Sequence, residues 1–443
     1  MKLLNMKNIV WHTIKKLSNL NLSIMLLLII ALISIIGTII EQNQSLVYYQ
    51  NTYPIESRLP YSIVNWKIII QLGLDHIYSN IWFISILTIF CCSLITCTFS
   101  YQLPGLKNAR KWKFLQKTQN IYKKAHFLQL DKKSLSNIIY TLHKQNYYIF
   151  HKQNNIYAYK GLAGRIAPIF VHFSIILTLI GSVIGLLGGF TAQEIVPVGE
   201  IFHIKNIIKS GFNSQIPDNL VGKVKKFDIK YHPNNSIKQF LSTICLYRNE
   251  DQYIIQKNIF VNSPLIFKKI TFYQTDWQIN SIRLQIGNSK TIQKQLIKTQ
   301  LNNKTLWSCQ IPINHKKNII LIITKLDDKI FIYDTRGNLL ISINFNEPII
   351  IDNISLKIIE IMTSTGLQIK TDPGIPIIYT GFMILMISII VSYISYSQIW
   401  INSKQEYIEL AGFTNRATLN FEEDLINIEE MYSKYLWVDK KNK

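Results

Sequence analysis

The stretch GRIAPIFVHFSIILTLIGSVIG, residues Gly164–Gly185, is apolar almost throughout, but it has Arg165 near its start and carries one histidine, His172. An α-helix crosses a hydrocarbon core of about 30 Å with about 20 apolar residues. The window 167–187 meets that length without any Asp, Glu, Lys or Arg. Three further windows do the same: Leu22–Ile40, Ile81–Phe99 and Ile375–Tyr396. The sequence therefore predicts a polytopic α-helical membrane protein with four transmembrane helices.

Lysine and arginine are distributed unevenly around these helices, and this asymmetry predicts the orientation of the chain. Residues 101–165, between the second and third helices, carry 13 Lys/Arg and one acid, whereas the loop between the first two helices has only Arg58 and Lys67. The basic loop and both termini are therefore placed on the cis side, which is cytoplasm or plastid stroma. The segment between the third and fourth helices is then on the trans side.

The net charge of +22 is of the kind found in nucleic-acid-binding proteins. It comes mainly from lysines in a chain crowded with Ile and Asn, a bias typical of AT-rich coding, and no RNP, KH or zinc-finger pattern accompanies it. We therefore expect no nucleic-acid partner.

These features divide the chain into consecutive segments. They are a cis N-terminus (1–21), the first helix (22–40), a trans loop with an amphipathic segment (41–80), the second helix (81–99), a basic cis loop with a small α+β unit (100–166), the third helix (167–187), a large β-rich trans-side domain (188–374), the fourth helix (375–396) and a cis C-terminal tail (397–443).

The trans segment 188–374 is long enough for a hydrophobic core of its own. Its apolar stretches are short and β-branched, as in NIILIITK (Asn318–Lys325) and ISLKIIEIM (Ile354–Met362), and turn residues such as Arg336-Gly337-Asn338 separate them. This pattern predicts a mostly β domain with two sheets packed together.

The basic cis loop is predicted to contain a small α+β unit. The stretch AHFLQL (Ala125–Leu130) is typical of a strand. Asp131 is a candidate N-cap for a helix over Lys132–Lys144, and Asn154-Asn155 is typical of a hairpin turn. On the trans side, Tyr61–Asn80 has apolar residues at helical spacing. It is either an amphipathic helix lying on the membrane or a segment packed beneath the β domain.

The five cysteines form neither a CxxC nor a CxxCH motif. The chain is therefore predicted to be neither a thioredoxin-like reductant nor itself a c-type cytochrome. Cys245 and Cys309, in the trans domain, either form a disulfide in an oxidising compartment or remain two separate buried thiols.

An ionisable side chain inside a membrane span is a functional hypothesis by default. The other three windows contain no His, Asp, Glu, Lys or Arg with which His172 could pair. One alternative is a neutral imidazole hydrogen-bonded to a neighbouring helix. The other is a haem-iron ligand, a role for which imidazole is well suited. Arg165, at the nearby cis surface, is then the candidate contact for a haem propionate.

Small residues predict where the third and fourth helices pack. Each helix carries a row of them: Gly181, Gly185 and Gly189 in the third, Gly374 and Gly381 in the fourth. At about 100° per residue, His172 lies roughly opposite this row. We therefore expect its side chain to point away from its own helices, toward a partner protein or a cofactor.

Several long stretches resemble the ResB/CcsB family of system II cytochrome c biogenesis proteins, in its plastid, algal form. They occur in the family's order and span nearly the whole chain: LSNLNLSIMLLLIIALISIIGTIIEQNQ (17–44), YSNIWFISILTIFCCSLITCTFSYQLPGLK (78–107), GRIAPIFVHFSIILTLIGSVIGLLGGFTAQEIVPVGE (164–200), VNSPLIFKKITFYQTDWQI (261–279) and TGLQIKTDPGIPIIYTGFMIL (365–385).

The resemblance implies a role in the biogenesis of c-type cytochromes, cytochrome f and a soluble cytochrome c, at the haem-attachment step. Such proteins work with the membrane protein CcsA (ResC) as a haem delivery and holocytochrome c synthase complex in the plastid thylakoid membrane, with the large domain in the lumen. Haem b, shared with CcsA, is presented to the CxxCH motif of an apocytochrome. The resemblance gives His172 the role of haem axial ligand.

The sequence lacks a tryptophan-rich haem motif as well as CxxC. We therefore expect it to be a subunit of a cytochrome c haem lyase rather than an enzyme alone, with any thiol reductant supplied by another partner. The alternative is a membrane-anchored ligand-binding or sensor protein with an extracytoplasmic β domain. A transporter is disfavoured because the spans hold no other charge. A hydrolase is disfavoured because the trans-domain histidines are scattered: His203, His232 and His315.

Overall fold

The computed structural model describes most of the chain. The described residues are 12, 14–55, 65–109, 114, 126–131, 134–233, 236–249, 252–287, 290–301, 304–314, 317–326, 329–345, 347–351 and 354–441. Arg58, His315, Lys132 and most of the segment 1–21 lie outside these ranges. The chain divides into two compact units, residues 1–182 with 376–443 and residues 183–375.

The helices, numbered in chain order, are α1 (Leu20–Ile39), α2 (Leu46–Thr52), α3 (Trp66–Leu72), α4 (Ile81–Cys97), α5 (Leu103–Ala109), α6 (Leu135–Lys144), α7 (Leu162–Gly188), α8 (Ile375–Ser392) and α9 (Thr418–Lys441). Among the described residues, four helical stretches are long and apolar enough to cross a membrane: α1, α4 continued through α5, α7 and α8. The prediction of four transmembrane helices is confirmed.

The observed spans differ from the predicted windows at their ends. A π turn, Thr98–Gln102, joins α4 to α5, so the second span runs from Ile81 to Ala109 instead of ending at residue 99. Helix α7 begins at Leu162 rather than 167, and α8 ends at Ser392 rather than 396. A charge-free window marks only the apolar composition of the chain. The backbone hydrogen bonding of α7 continues beyond it into polar residues, whereas α8 ends inside its window because the chain turns there toward the strand that begins at Ser397.

The loop after α1, which the charge distribution predicts to be trans, folds back onto the end of that helix. The predicted amphipathic helix is broken at Gly73, which ends α3 in the left-handed conformation (φ 65°) and leads into a 3-10 turn, Leu74–Ser79. Tyr49 and Ile69 are buried against Ile40. In the described part of the loop, these residues therefore form a small core with the end of α1.

An antiparallel sheet in the first unit combines strands from the two segments that the charge distribution predicts to be cis, in the order β1-β21-β20-β3-β2. This sheet and the helices packed on it are called the cis unit after that prediction. Its strands are β1 (His126–Asp131), β2 (Tyr148–Lys152), β3 (Asn155–Lys160), β20 (Ser397–Ser403) and β21 (Tyr407–Thr414). Helices α6 and α9 bury Ile138, Leu142, Phe421, Leu425 and Ile428 in one core with the sheet. The segment 397–443 is thus not a separate tail.

Local details of this unit also differ from expectation. The strand and the hairpin are present where predicted, but Ser134, not Asp131, caps α6: its side chain accepts a hydrogen bond from the backbone N–H of Asn137. Asp131 cannot take this role because it belongs to β1 and pairs with Tyr407.

The second unit is antiparallel β structure in three sheets rather than the two predicted. The strands are β4 (Phe190–Pro197), β5 (Ile201–Phe202), β6 (Ile207–Ser210), β7 (Leu220–Tyr231), β8 (Ile237–Arg248), β9 (Gln252–Phe260), β10 (Leu265–Phe267), β11 (Ile270–Ile286), β12 (Ile292–Gln295), β13 (Ile297–Leu301), β14 (Lys304–Asn314), β15 (Lys317–Ile323), β16 (Ile330–Asp334), β17 (Leu339–Ile343), β18 (Pro348–Ile351) and β19 (Ile354–Thr371). Strands β5-β7-β8-β9 form one sheet, β13 to β17 another, and the remainder the third.

The long strands β11 and β19 explain why three sheets form. They pair along most of their length, with three register shifts, between Gln274/Asp276, Ile279/Ser281 and Arg283/Leu284. One end of the pair packs into a core containing Phe272 and Ile369, and the other end into a core containing Ile282 and Ile358. Bulges increase the local twist, so one ribbon serves two successive sandwiches.

Cys245 and Cys309 are separate free thiols, each buried. Cys245 belongs to β8 in the four-stranded sheet and Cys309 to β14 in the five-stranded sheet. Burial raises the pKa of the Cys309 thiol to about 11. Of the two alternatives for this pair, the structure has the unpaired one.

Candidate functional site

His172 lies against the end of the second membrane span. Its Nδ1 is 3.0 Å from the hydroxyl of Thr98, and its Nε2 is 3.0 Å from the amide nitrogen of Gln102. The expectation that His172 points away from its own helices is therefore wrong. It failed because the apolar window ended at residue 99, whereas the helix continues and presents Gln102 one turn later.

The π turn explains how one helix reaches both ring nitrogens. In this turn the backbone N–H of Leu103 donates to the carbonyl of Thr98, an i to i+5 bond. Thr98 and Gln102 lie four residues apart on the same side of the helix, and they bracket the imidazole edge. Single π turns inside α-helices occur frequently at functional sites.

The hydrogen-bond chain favours one tautomer of His172. The hydroxyl of Thr98 lies 2.8 Å from the carbonyl of Leu94, and while it donates its one hydrogen there it accepts from the imidazole. In this arrangement His172 carries its proton on Nδ1 and donates it to Thr98. The lone pair of Nε2 then accepts the N–H of Gln102.

Only one of the two polar groups of the Gln102 side chain has a hydrogen-bond partner among the described residues. Its amide nitrogen donates to His172, but its oxygen, Oε1, is buried and has no hydrogen-bond partner among the described residues. A buried polar atom without a partner costs about 1–3 kcal/mol. The side chain of Gln102 is thus less completely hydrogen-bonded than that of Thr98, although both lie 3.0 Å from the imidazole.

Arg165 is exposed at the cis end of α7 and remains available to an anionic group. Its guanidinium lies over the ring of Tyr396, 6.0 Å from the centroid, and next to Gly105. Seven residues separate it from His172, or about 10 Å along the helix. Both side chains therefore border the same length of the second span.

Lys160, the other cation near this end of the helix, is already paired. Its ammonium donates to the carboxylate of Asp424 at 2.8 Å, and the hydroxyl of Tyr147 donates to the same oxygen at 3.1 Å. Burial, together with the neighbouring Asp424 carboxylate, raises the pKa of Tyr147. This cluster links the C-terminal helix α9 to the loop between the second and third membrane spans. Lys160 is therefore less available than Arg165 to bind an anionic group.

The glycines singled out by the sequence have different neighbours. A Cβ added to Gly381 would lie 2.5 Å from Thr178 Cγ2 and 3.1 Å from the carbonyl of Ser174, so α8 approaches α7 closely at this point. Gly181 is buried in α7. Gly185 instead leaves room for the carboxylate of Asp372.

Asp372 and Gly374 form a turn in which the Asp372 carboxylate accepts the backbone N–H of Gly374 at 3.1 Å. Gly189 packs against the carbonyls of Gly185 and Thr371. The Asp372-Pro373-Gly374 stretch therefore has a structural role at the start of α8.

A buried polar cluster in the second unit was not indicated by the sequence. Gln274 donates to the hydroxyls of Ser242 (2.8 Å) and Thr365 (3.2 Å), and Ser242 donates to Thr365 at 2.9 Å. These residues come from two different sheets, so the cluster joins them. It contains no titratable group, and no set of three or more His, Cys, Asp or Glu among the described residues could hold a metal ion.

Comparison with known proteins agrees with this architecture. The model of the ResB-like family matches residues 20–329 and 324–426. The chain is 64% identical over 434 residues to a protein named cytochrome c biogenesis protein Ccs1 from Gracilaria tenuistipitata var. liui, covering 98% of this chain and 100% of that relative. It is 46% identical over 428 residues to the Ccs1 of Porphyra purpurea, covering 97% and 98% of the two chains. A Nostoc protein named cytochrome c biogenesis protein CcsB is 41% identical over 420 residues, with 94% and 91% covered.

Proposed function

The chain belongs to the ResB-like family, and we propose that it acts in the biogenesis of c-type cytochromes, at the step where haem is attached to the apocytochrome. The relatives named for this process match it over nearly their whole length. The observation that carries the proposal is the imidazole of His172, which lies within a membrane span and has a hydrogen-bond partner on the second span at each ring nitrogen.

The residues present fit a haem iron. His172 would hold the iron through Nε2, while Thr98 accepts the Nδ1 proton and keeps the ring oriented, as partners of metal-ligating histidines do. Arg165 would bind a propionate. When bound, haem supplies the vinyl groups that receive the cysteine thiols of an apocytochrome. The residues of this chain bind and orient the cofactor rather than form those bonds.

We propose that the remaining contacts to the haem iron and the attachment chemistry come from a CcsA-type membrane protein. His172 is the one histidine in the membrane spans that the structure describes, so these spans would supply one imidazole and haem b would be shared between the two proteins. The distribution of basic residues favours the trans side for the β-rich unit. We propose that this side is the lumen of the plastid thylakoid, where the unit would hold the apocytochrome and its CxxCH motif. Thiol reduction falls to a further partner, since the chain has no CxxC motif.

A visible spectrum tests this function. The full chain is co-expressed with its CcsA-type partner, and the complex is purified as wild type and as His172→Gly, with and without imidazole. We expect the variant to lose haem or to shift its Soret band, and imidazole to restore the wild-type spectrum. His151→Gly is the matched control, because His151 is an exposed residue of β2 outside the membrane. An unchanged spectrum for His172→Gly would assign the haem to the partner alone.

A further inference from the structure

We propose that Gln102 is a displaceable cap on His172: its amide occupies the Nε2 lone pair when no haem is bound and must move away for the iron to bind. The proposal rests on the function proposed above. It concerns regulation of the same site by a residue that contacts the imidazole directly.

The amide and a metal cannot use His172 at the same time. Nδ1 is committed to Thr98, whose own hydrogen is committed to Leu94. Nε2 therefore carries the single lone pair available for coordination, and the N–H of Gln102 points at it from 3.0 Å. Any ligand of Nε2 takes the place of this hydrogen bond.

The two sides of the imidazole differ in how firmly they are held. Thr98 makes two hydrogen bonds, one with His172 and one with Leu94, and is fixed by both. Gln102 makes one and leaves Oε1 buried without a partner among the described residues. Rotation of the Gln102 side chain therefore loses one hydrogen bond, whereas Thr98 keeps both of its own. The cap opens without disturbing the Nδ1 side of the imidazole.

This arrangement suits a site that holds haem transiently. The cap lowers the affinity of His172 for iron by the free energy of one hydrogen bond, and it closes behind haem that leaves. Thr98 has the opposite effect, because it keeps the proton on Nδ1 and the lone pair on Nε2. The two residues are thus expected to change haem affinity in opposite directions when their side chains are removed.

Haem titration of the purified complex, followed at the Soret band, tests both directions. We expect Gln102→Ala to bind haem about fivefold more tightly and Thr98→Val about fivefold more weakly, the factor that corresponds to one hydrogen bond. Gln102→Ala should have no effect in the His172→Gly background. Gln71→Ala, at an exposed glutamine of α3, is the control for removal of an amide.

A second measurement needs no haem. Diethyl pyrocarbonate acylates unprotonated imidazole nitrogen, so its rate of reaction with His172, read by peptide mass spectrometry, reports access to the Nε2 lone pair. We expect Gln102→Ala to increase that rate several-fold. If His172→Gly leaves haem binding unchanged, the proposed function fails while this rate still tests the cap. If His172→Gly abolishes haem binding but Gln102→Ala changes neither affinity nor rate, the cap is refuted.

An independent observation concerns the loop after β6. The backbone N–H of Gly211 donates to the carbonyl of Gly189 at 2.9 Å, and that of Asn213 to the carbonyl of Leu187 at 2.8 Å. Between them, the side chain of Phe212 is 100% exposed. A Cβ on Gly211 would lie 2.3 Å from the carbonyl of Leu187, so only glycine permits this approach.

These bonds tie the loop to the last turn of a membrane span. Leu187 is the penultimate residue of α7. Its carbonyl is one of those that a helix end leaves without an intrahelical partner, and here it accepts the N–H of Asn213. The backbone of Phe212 therefore lies at the level where the helix leaves the hydrocarbon. Tryptophan and tyrosine are enriched at that depth, and phenylalanine is among the residues that interfacial helices bury there. The geometry points to insertion of Phe212 into the boundary between lipid headgroups and acyl chains.

Depth-dependent quenching tests this contact. Phe212→Trp is reconstituted in lipid nanodiscs whose phosphatidylcholine carries bromine either near the headgroup end or near the methyl end of one acyl chain, and the wild-type emission is subtracted. We expect the introduced tryptophan to be quenched more strongly by the shallow bromines. Emission at an aqueous wavelength with no quenching by either lipid would overturn the inference.

Discussion

Gly412 and Phe421 offer a direct test of how the C-terminal segment packs in the cis unit. A Cβ on Gly412 in β21 would lie 2.4 Å from Cζ and 2.7 Å from Cε1 of Phe421, whose side chain is only 2% exposed. In an open strand, Gly→Ala stabilises by about 0.5–1 kcal/mol. Here we expect the opposite sign, a loss of about 1–3 kcal/mol, because the added methyl overpacks the core.

The partner substitution makes the prediction quantitative. Phe421→Ala should cost about 3–5 kcal/mol, as expected for the loss of a buried ring. In the double variant the new methyl occupies space that the ring has vacated. We therefore expect the double variant to resemble Phe421→Ala alone, with a coupling energy of about 1–3 kcal/mol.

Pulse proteolysis of the detergent-purified full chain in a urea series measures these differences, with the cis unit followed through a C-terminal tag. Phe413→Ala is the control, since Phe413 is the next residue of the same strand and is 41% exposed. If the free energy of unfolding lost in the double variant equals the sum of the losses in the two single variants, Gly412 and Phe421 are not in contact. That result would refute the packing of α9 on β21.

Three further outcomes are expected. Asp424→Asn should lower the stability of the cis unit by about 1 kcal/mol, read from its urea midpoint, because it weakens the hydrogen bonds that Lys160 and Tyr147 both donate to this side chain. An unchanged midpoint would mean that the cluster is not formed. Because the pKa of Tyr147 is raised in the folded chain, its contribution to stability is complete below about pH 10, the ordinary tyrosine pKa, and is lost as pH rises from there. Tyr147→Phe should flatten that alkaline decline in the urea midpoint, and an unchanged decline would contradict the burial of the phenol. Cys309, with its pKa raised to about 11, should resist iodoacetamide at pH 8.5 in the folded chain and react in urea, as mass spectrometry would show; fast labelling of the folded chain would contradict its burial.

The four membrane helices were predictable because hydropathy and length are local properties of the chain. The position of His172 was not. Its partners Thr98 and Gln102 lie where the apolar window gives way to polar residues, and the π turn that aligns them has no sequence signal of its own. An available signal was the spacing of a hydroxyl and an amide four residues apart in the same helix.

The cis sheet shows a different limit. The stretches that form β20 and β21 are β-branched and aromatic on either side of a short polar turn, so a hairpin could have been predicted from them. Their pairing with β1 and β3 could not, because it joins segments more than 200 residues apart. Similarly, Gly73 could be recognised as a helix breaker, whereas the packing of Tyr49 on Ile40 depends on the fold.

The strand order β1-β21-β20-β3-β2 has a consequence for biosynthesis. The two strands at the centre of the sheet are the last that the ribosome makes, after the fourth helix has emerged. Until then β1 and the β2–β3 hairpin each present an open edge, which invites aggregation or proteolysis. A chain that stops before Ser397 never closes those edges. The sheet therefore closes only after residues 397–414 have been synthesised, and a chain interrupted before them keeps strand edges that are prone to aggregation.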